Sequence, residues 1–414
     1  MNGHFTRKAN GHSSRSPFAS EGGSFASSSA GRGSRAARGD VNVARKAIPL
    51  DRAARAFTLL RLSRGRGRQA DRGFTLIELM VAMVLGLIVI AGVTSVFLAG
   101  QQSFRTNNAL SDVEDGSRIA FELMARDIRE AGLTGCDSTS NRIANVLGNS
   151  PNNGGSDWWA NWGNALHGYG GSNSNSTDGD ADQADPAVAV GTGVGQRVAG
   201  TDSLEIVSAG NLPVTIESDK EPAANFKLNM PSTTLQSGDV IIVCSPDHAT
   251  IVQISNYNNN NVTVVHNTGN VVSPGNCSKG LGYPTDCTST NGNIYTFPPN
   301  SLIAGLTASD WYIGYNSAGG GGKSLYRIAL VNSGGTGVTT QAQEMVRNVT
   351  DMQITYLQNP NTSYVAAASV TNWAAVTAAR VTLTVQSTFQ RATVNAKPIV
   401  RTYSATTTVR NRVN

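Results

Sequence analysis

Between Leu79 and Ala99 the chain runs for 21 residues without a charged side chain. At about 1.5 Å per residue, a helix of that length crosses the roughly 30 Å hydrocarbon core of a bilayer. The segment therefore reads as a membrane span. On its N-terminal side stand Arg61, Arg64, Arg66, Arg68 and Arg72, and an excess of arginine orients that flank toward the cytoplasm. The chain beyond Gly100 then lies on the far side, in the periplasm of a Gram-negative cell.

Charge follows the same division. The 414-residue chain has a formal net charge of +5, which taken whole suggests a nucleic-acid partner. Yet residues 1–72 hold 15 of the 33 Lys and Arg and 4 of the 28 Asp and Glu, so this stretch carries +11 and the remainder −6. The stretch is rich in Ser, Gly, Ala and Arg and lacks the apolar content needed to offset the entropy of ordering, so it reads as a disordered targeting or processing leader. Beyond it lysine is confined to Lys220, Lys227, Lys279, Lys323 and Lys397. That surface is poorly suited to DNA, so a DNA-binding competence role is the weaker alternative.

The junction between leader and span does not read as an ordinary signal peptide. A secretory cleavage site follows the apolar run, whereas here Arg72, Gly73, Phe74, Thr75, Leu76, Ile77 and Glu78 precede it. An acid at Glu78 costs on the order of 1 to 3 kcal/mol at the edge of an apolar helix and needs a partner. A cut between Gly73 and Phe74 would create an α-amino group close to it, and the helix dipole also favours a carboxylate there. RGFTLIELMVAMVLGLIVIAG resembles the class III signal of type IV prepilins. The resemblance implies cleavage after Gly73 by prepilin peptidase, N-methylation of Phe74, and pairing of Glu78 with the N-terminal amine of a neighbouring subunit. A 73-residue leader is longer than is usual for the family, and the run from Phe74 to Ser150 lacks the proline of major pilin helices.

Past Gly100 the helical pattern continues into water. Val113, Ala120, Met124, Ile128 and Ala131 form one apolar stripe, with Arg118, Glu122, Arg126 and Glu130 as an i,i+4 charge ladder beside it. Gly132 and Gly135 mark the end. ARDIREAGLTGC from Ala125 is similar to the element that follows the first helix in the PilW family of minor pilins. DSLEIVSAG from Asp202, GDVIIVC from Gly238, WYIGYN from Trp311, SLYRI from Ser324 and TTTVRNRV from Thr406 extend that resemblance toward the C-terminus.

Residues 137–200 are rich in Asn, Ser and Gly, with Trp158, Trp159 and Trp162 close together, and read as long surface loops pinned by an aromatic patch. From Asp202 onward, β-rich runs such as SLEIVS, DVIIVC, TIVQIS, VTVVH, YRIALV, MQITYL, ARVTLTVQS and ATTTVR alternate with turn signals, and Asn258–Asn261 reads as one such turn. The expected fold is α+β and pilin-like, a long helix carrying an antiparallel β-rich head. The expected organisation is a leader over 1–73, the helix over 74–135 with its span at 79–99, variable loops over 136–200, and the head over 201–414.

Cys136, Cys244, Cys277 and Cys287 lie outside the membrane in this topology, where disulfides persist. Of the three possible pairings, Cys277 with Cys287 and Cys136 with Cys244 is favoured: the first closes a short loop, the second ties the helix end to a strand. Zinc is disfavoured, because there is no CxxC pair and His is scarce.

Walker, HExxH and GxSxG signatures are missing from the sequence, and no enzyme is expected. Asp178, Asp180 and Asp182 alternate like the start of a calcium loop, but Gln183 stands at the required Gly and Ala189 at the bidentate Glu. Calcium is thus a weak alternative to a solvated acidic loop, and no other cofactor is expected. His167, His248 and His266 read as packing or surface residues, and Ser245 and Asp247 sit too near His248 along the chain for a hydrolase triad. The PilW resemblance implies a minor pilin that helps initiate pilus assembly and supports adhesion or twitching motility. Its implied partners are other minor pilins, the major pilin, prepilin peptidase and a tip adhesin, and its implied path leads from the inner membrane to the pilus surface. A GspJ-like pseudopilin of type II secretion is the alternative within the same class.

Overall fold

Thr75 starts the helix. Its hydroxyl accepts from the Glu78 amide at 3.3 Å, and the Glu78 carboxylate accepts from the Thr75 amide at 3.3 Å. This reciprocal capping box satisfies donors that a helix start leaves free. In the computed structural model the described residues are 73–136, 142–172, 182–210, 214–269, 271–318, 321–393 and 395–413. Thr75–Asn414 form one contact unit.

Helix α1 (Leu76–Glu130) has 55 residues, about 83 Å at the standard rise. Its first half is apolar and bare, with Leu85, Ile88 and Phe97 each more than half exposed. It is long and apolar enough to cross a membrane. In its second half the apolar stripe packs: Ala109, Val113, Ala120, Met124 and Ile128 are buried, as is Ala131 just beyond. Of the charge ladder, Arg126 and Glu130 approach to 3.7 Å on an exposed face. Ala131 leaves helical geometry, and Gly132 follows at φ +71°, the left-handed turn that glycine adopts without steric cost. The Gly132 amide then donates to the Val207 carbonyl at 2.9 Å, tying the helix end to the head.

The head begins with β1 (Ile143–Asn145), β2 (Leu166–Tyr169), β3 (Ser203–Ala209), β4 (Val214–Lys220) and β5 (Asn225–Leu228). It continues through β6 (Val240–Ser245), β7 (His248–Gln253), β8 (Asn256–Asn258) and β9 (Thr263–Val265). The last part holds β10 (Leu302–Tyr315), β11 (Lys323–Asn332), β12 (Val338–Arg347), β13 (Val349–Gln358), β14 (Val365–Ala366), β15 (Val376–Gln386) and β16 (Val400–Thr408). The architecture is α+β with antiparallel pairing dominant; β1 against β7 is a parallel pair.

Strand β10 organises the larger sheet. At 14 residues it is far longer than a typical strand, so its two halves have different neighbours. Leu302–Gly305 pair with β6, while Leu306–Tyr312 pair with β3 and Ser309–Tyr315 with β11. A second sheet runs β14-β13-β15-β16. From Val113 onward the buried stripe of α1 packs in one core with Leu204, Ile206, Trp311 and Ile313 from the first sheet and Met352, Ile354, Val381 and Leu383 from the second.

Two expectations need correction. The region read as surface loops contains β1 and β2, and its Trp158 and Trp159 are buried against Val207, Ala308 and Tyr312 on the other face of the first sheet. The turn read at Asn258–Asn261 lies instead over residues 259–262, because Asn258 ends β8.

Candidate functional site

The N-terminal end of α1 holds the residues that the sequence singled out. Phe74 is 87% exposed. The Glu78 carboxylate also accepts from the Thr75 hydroxyl at 3.2 Å, so Glu78 has a local role as a cap that the sequence reading missed. The signal was present as Thr75-x-x-Glu78, the short pattern of a capping box. Exposed apolar side chains then continue up the helix to Phe104, which is 66% exposed, leaving a surface that needs lipid or neighbouring helices to cover it.

At its other end α1 is locked to the head through Asp127. Its carboxylate accepts from Ser309 Oγ at 2.9 Å and Trp311 Nε1 at 2.9 Å, and lies 3.3 Å from Arg327 Nε. Trp311 and Arg327 are brought together by the β10–β11 register, which pairs them directly. Behind the helix end, Asn411 donates to the Gly132 carbonyl at 2.9 Å, and Arg412 donates to the carbonyls of Trp373 at 2.6 Å and Val376 at 3.2 Å. The closing RNR motif thus fastens the last residues to the helix end and to β15.

Both expected disulfides are present. Cys136–Cys244 joins the segment after α1 to β6, and Cys277–Cys287 closes a loop. A cavity of about 440 Å³ beside the first bond is lined by Pro246, Pro298, Pro299 and Leu302; it brings no acid, base or nucleophile pair together.

His167, His248 and His266 pack. His248 Nε2 lies 2.6 Å from the Leu281 carbonyl and 3.0 Å from Thr250 Oγ1. The Ser245 hydroxyl instead donates to Asp247 at 2.9 Å, and Tyr295 donates to the same carboxylate at 2.9 Å. His266 stacks on Phe226 with ring centroids 4.6 Å apart, and His167 lies between Tyr169 and Trp373. Burial pushes His167 down to about 4 and His266 down to about 3.

One buried polar cluster escaped the sequence reading. Glu205 of β3 and Asp310 of β10 stand directly opposite each other, under a cover that brings Asp185 and Arg197. Arg197 is fully buried, donates to Ser203 Oγ at 3.0 Å and to the Gly170 carbonyl at 3.3 Å, and lies 3.8 Å from Asp185. Tyr169 donates to Glu205 at 3.0 Å. Burial, helped by the Asp185 charge, pushes Glu205 up to about 8, against the lowering effect of the Tyr169 bond. Burial and the charges of Asp185 and Glu205 hold Asp310 well above the usual carboxylate range.

Of the acidic trio, Asp178 and Asp180 lie outside the described residues. Asp182 accepts from the amides of Ser172 at 2.9 Å and Gly200 at 2.8 Å. Among the described residues no group of three or more His, Cys, Asp and Glu is arranged to hold a metal ion.

Residues 68–94 match the family model of the prokaryotic N-terminal methylation motif, and residues 310–412 match that of the type IV pilus-assembly protein W. Residues 310–412 are PilW-like. The PilW match begins at Asp310, inside β10, and ends at Arg412, so it takes in Trp311, Arg327 and the RNR fastening of the head. The methylation-motif match covers the Gly73–Phe74 junction, Glu78 and the first part of α1. Both matches fit a pilus-related, membrane-anchored precursor. No curated protein matches the chain as a relative.

Proposed function

We propose that this chain is a type IV pilus minor pilin that helps initiate assembly, together with other minor pilins and the major pilin, and so supports adhesion or twitching motility. The precursor enters the inner membrane through residues 79–99 with its head in the periplasm. Prepilin peptidase cuts between Gly73 and Phe74 and methylates Phe74. Glu78 then pairs with the new amine of a neighbouring subunit as the helix moves from lipid to the filament core. The protein works by packing and charge pairing, without catalysis.

The observation that carries this reading is one continuous helix. It starts in a class III prepilin motif, leaves its apolar first half uncovered, and ends fastened to a PilW-like head. The PilW match favours a pilus over a GspJ-like role in secretion.

Intact mass and N-terminal sequencing of protein from sheared pili test it. The expected species has 341 residues, begins at methylated Phe74, and lacks the hydrogens lost in two disulfides. Recovery only from the inner membrane, with the leader uncut, would refute the proposal.

A further inference from the structure

The head first grips α1 only three residues beyond the uncharged run that ends at Ala99. Gln102 Nε2 donates to the Ala392 carbonyl at 2.8 Å, and Thr106 Oγ1 donates to the same oxygen at 2.6 Å. Further along, Asp112 accepts from the amide of Thr388 at 2.8 Å and from its hydroxyl at 2.6 Å. The amides of Ala392 and Thr393 both donate to the Lys397 carbonyl, at 3.1 and 3.0 Å, folding this stretch into a tight turn against the helix. Ala392 is buried there with Ala109 and Ile399 in a small core of its own.

Three helical residues rise about 4.5 Å, and the headgroup layer on each side of the hydrocarbon is roughly 5 to 7 Å deep. With residues 79–99 filling the hydrocarbon, Ala392 therefore stands at headgroup depth. Close to it along the chain or the helix, Arg105, Arg391 and Lys397 are exposed. Among the described residues none of these three forms an ion pair. Phe104, next to Arg105 on α1, has 66% of its surface open. The carboxylate of Asp112, the next acid along α1, is engaged by Thr388. Cations beside an aromatic ring form the composition that settles at an anionic lipid interface, where long basic side chains reach headgroups and rings lie at the boundary.

We propose that Arg391 and Lys397, with Phe104 and Arg105 of α1, form a membrane-docking collar. The collar rests on anionic phospholipid headgroups of the periplasmic leaflet and fixes the tilt of the head before the subunit leaves for the filament. The proposal rests on reading 79–99 as a membrane span.

The full chain is placed in nanodiscs of phosphatidylcholine alone or mixed with phosphatidylglycerol, and amide exchange is followed over 387–401. The expected result is at least about fivefold slower exchange with phosphatidylglycerol, the scale of one basic residue near an anionic surface. A Phe104→Trp variant should show emission further to the blue in the phosphatidylglycerol discs than in phosphatidylcholine alone. The double variant R391E/K397E should lose both effects with an unchanged melting temperature, because both side chains face solvent. Equal exchange in the two lipids, with the chain retained in the disc, overturns the collar. So does protection that follows the number of copies per disc instead of the lipid charge. A chain that fails to stay in the disc refutes the span itself, and the collar with it.

Discussion

Asp127 on α1 accepts from the indole Nε1 of Trp311 on β10 at 2.9 Å, a contact between residues 184 positions apart that sets the helix against the head. The same carboxylate serves Ser309 Oγ and lies 3.3 Å from Arg327. Asp127→Ala would leave an indole N–H and a guanidinium largely buried without their acceptor. The expected loss is about 3 kcal/mol, read as a lowered denaturant midpoint of the purified protein from residue 101 onward, which keeps the second half of α1 with the head. A change within about 0.5 kcal/mol would show that the contact is dispensable.

The two disulfides should differ in worth. Cys136–Cys244 spans 108 positions and Cys277–Cys287 only 10. On the chain-entropy account the longer loop restricts the unfolded state by about 5 kcal/mol and the shorter by about 3. Replacing the first pair by serine should therefore lower the melting temperature more than replacing the second. Equal losses in paired thermal melts would mean that loop length does not govern their contributions.

Much of this arrangement was legible because its residues are patterned for one environment. The stripe Val113, Ala120, Met124, Ile128 and Ala131 showed its period in the sequence and is buried. In β13 and β15, Met352, Ile354 and Tyr356 alternate inward, as do Val381, Leu383 and Val385. Strand β10 gave no such pattern, since it is buried on both faces and includes Gly305, Ser309 and Asp310. Strand β12 was also missed, because its exposed edge position leaves Thr339 to Glu344 exposed and, apart from Ala342, polar. Asp127 read as one more charge on a helix face; only the fold brings Trp311 to it.

Glu78 combines a cap with a charge, and one substitution separates them. Gln can still accept from the Thr75 amide but has no charge to offer an incoming amine. Glu78→Gln should therefore insert and be cleaved normally while its incorporation into pili falls, as seen by immunoblot of sheared pili. Glu78→Ala should show the same defect, with about 0.5 to 1 kcal/mol of local capping lost as well. Normal incorporation of Glu78→Gln would remove the charge-pairing role.

The stability of the head should fall as pH rises above neutrality. Burial and the Asp185 charge push Glu205 from 4.5 up to about 8, so within that window the folded head keeps a proton that the unfolded chain has released. Unfolding then releases a proton, and rising pH favours it. His167 and His266 act oppositely: their folded values of about 4 and about 3 lie below the ordinary 6.5, so their contribution grows as pH rises and is complete near 6.5. From there to about 8 Glu205 dominates, and the loss should be about 2 kcal/mol. Asp310, raised by burial and by the charges of Asp185 and Glu205, contributes with the same sign as Glu205. Glu205→Gln keeps an acceptor for the Tyr169 hydroxyl and should flatten the fall between pH 6.5 and 8 in denaturant titrations. An unaltered slope in that variant would assign the pH dependence elsewhere.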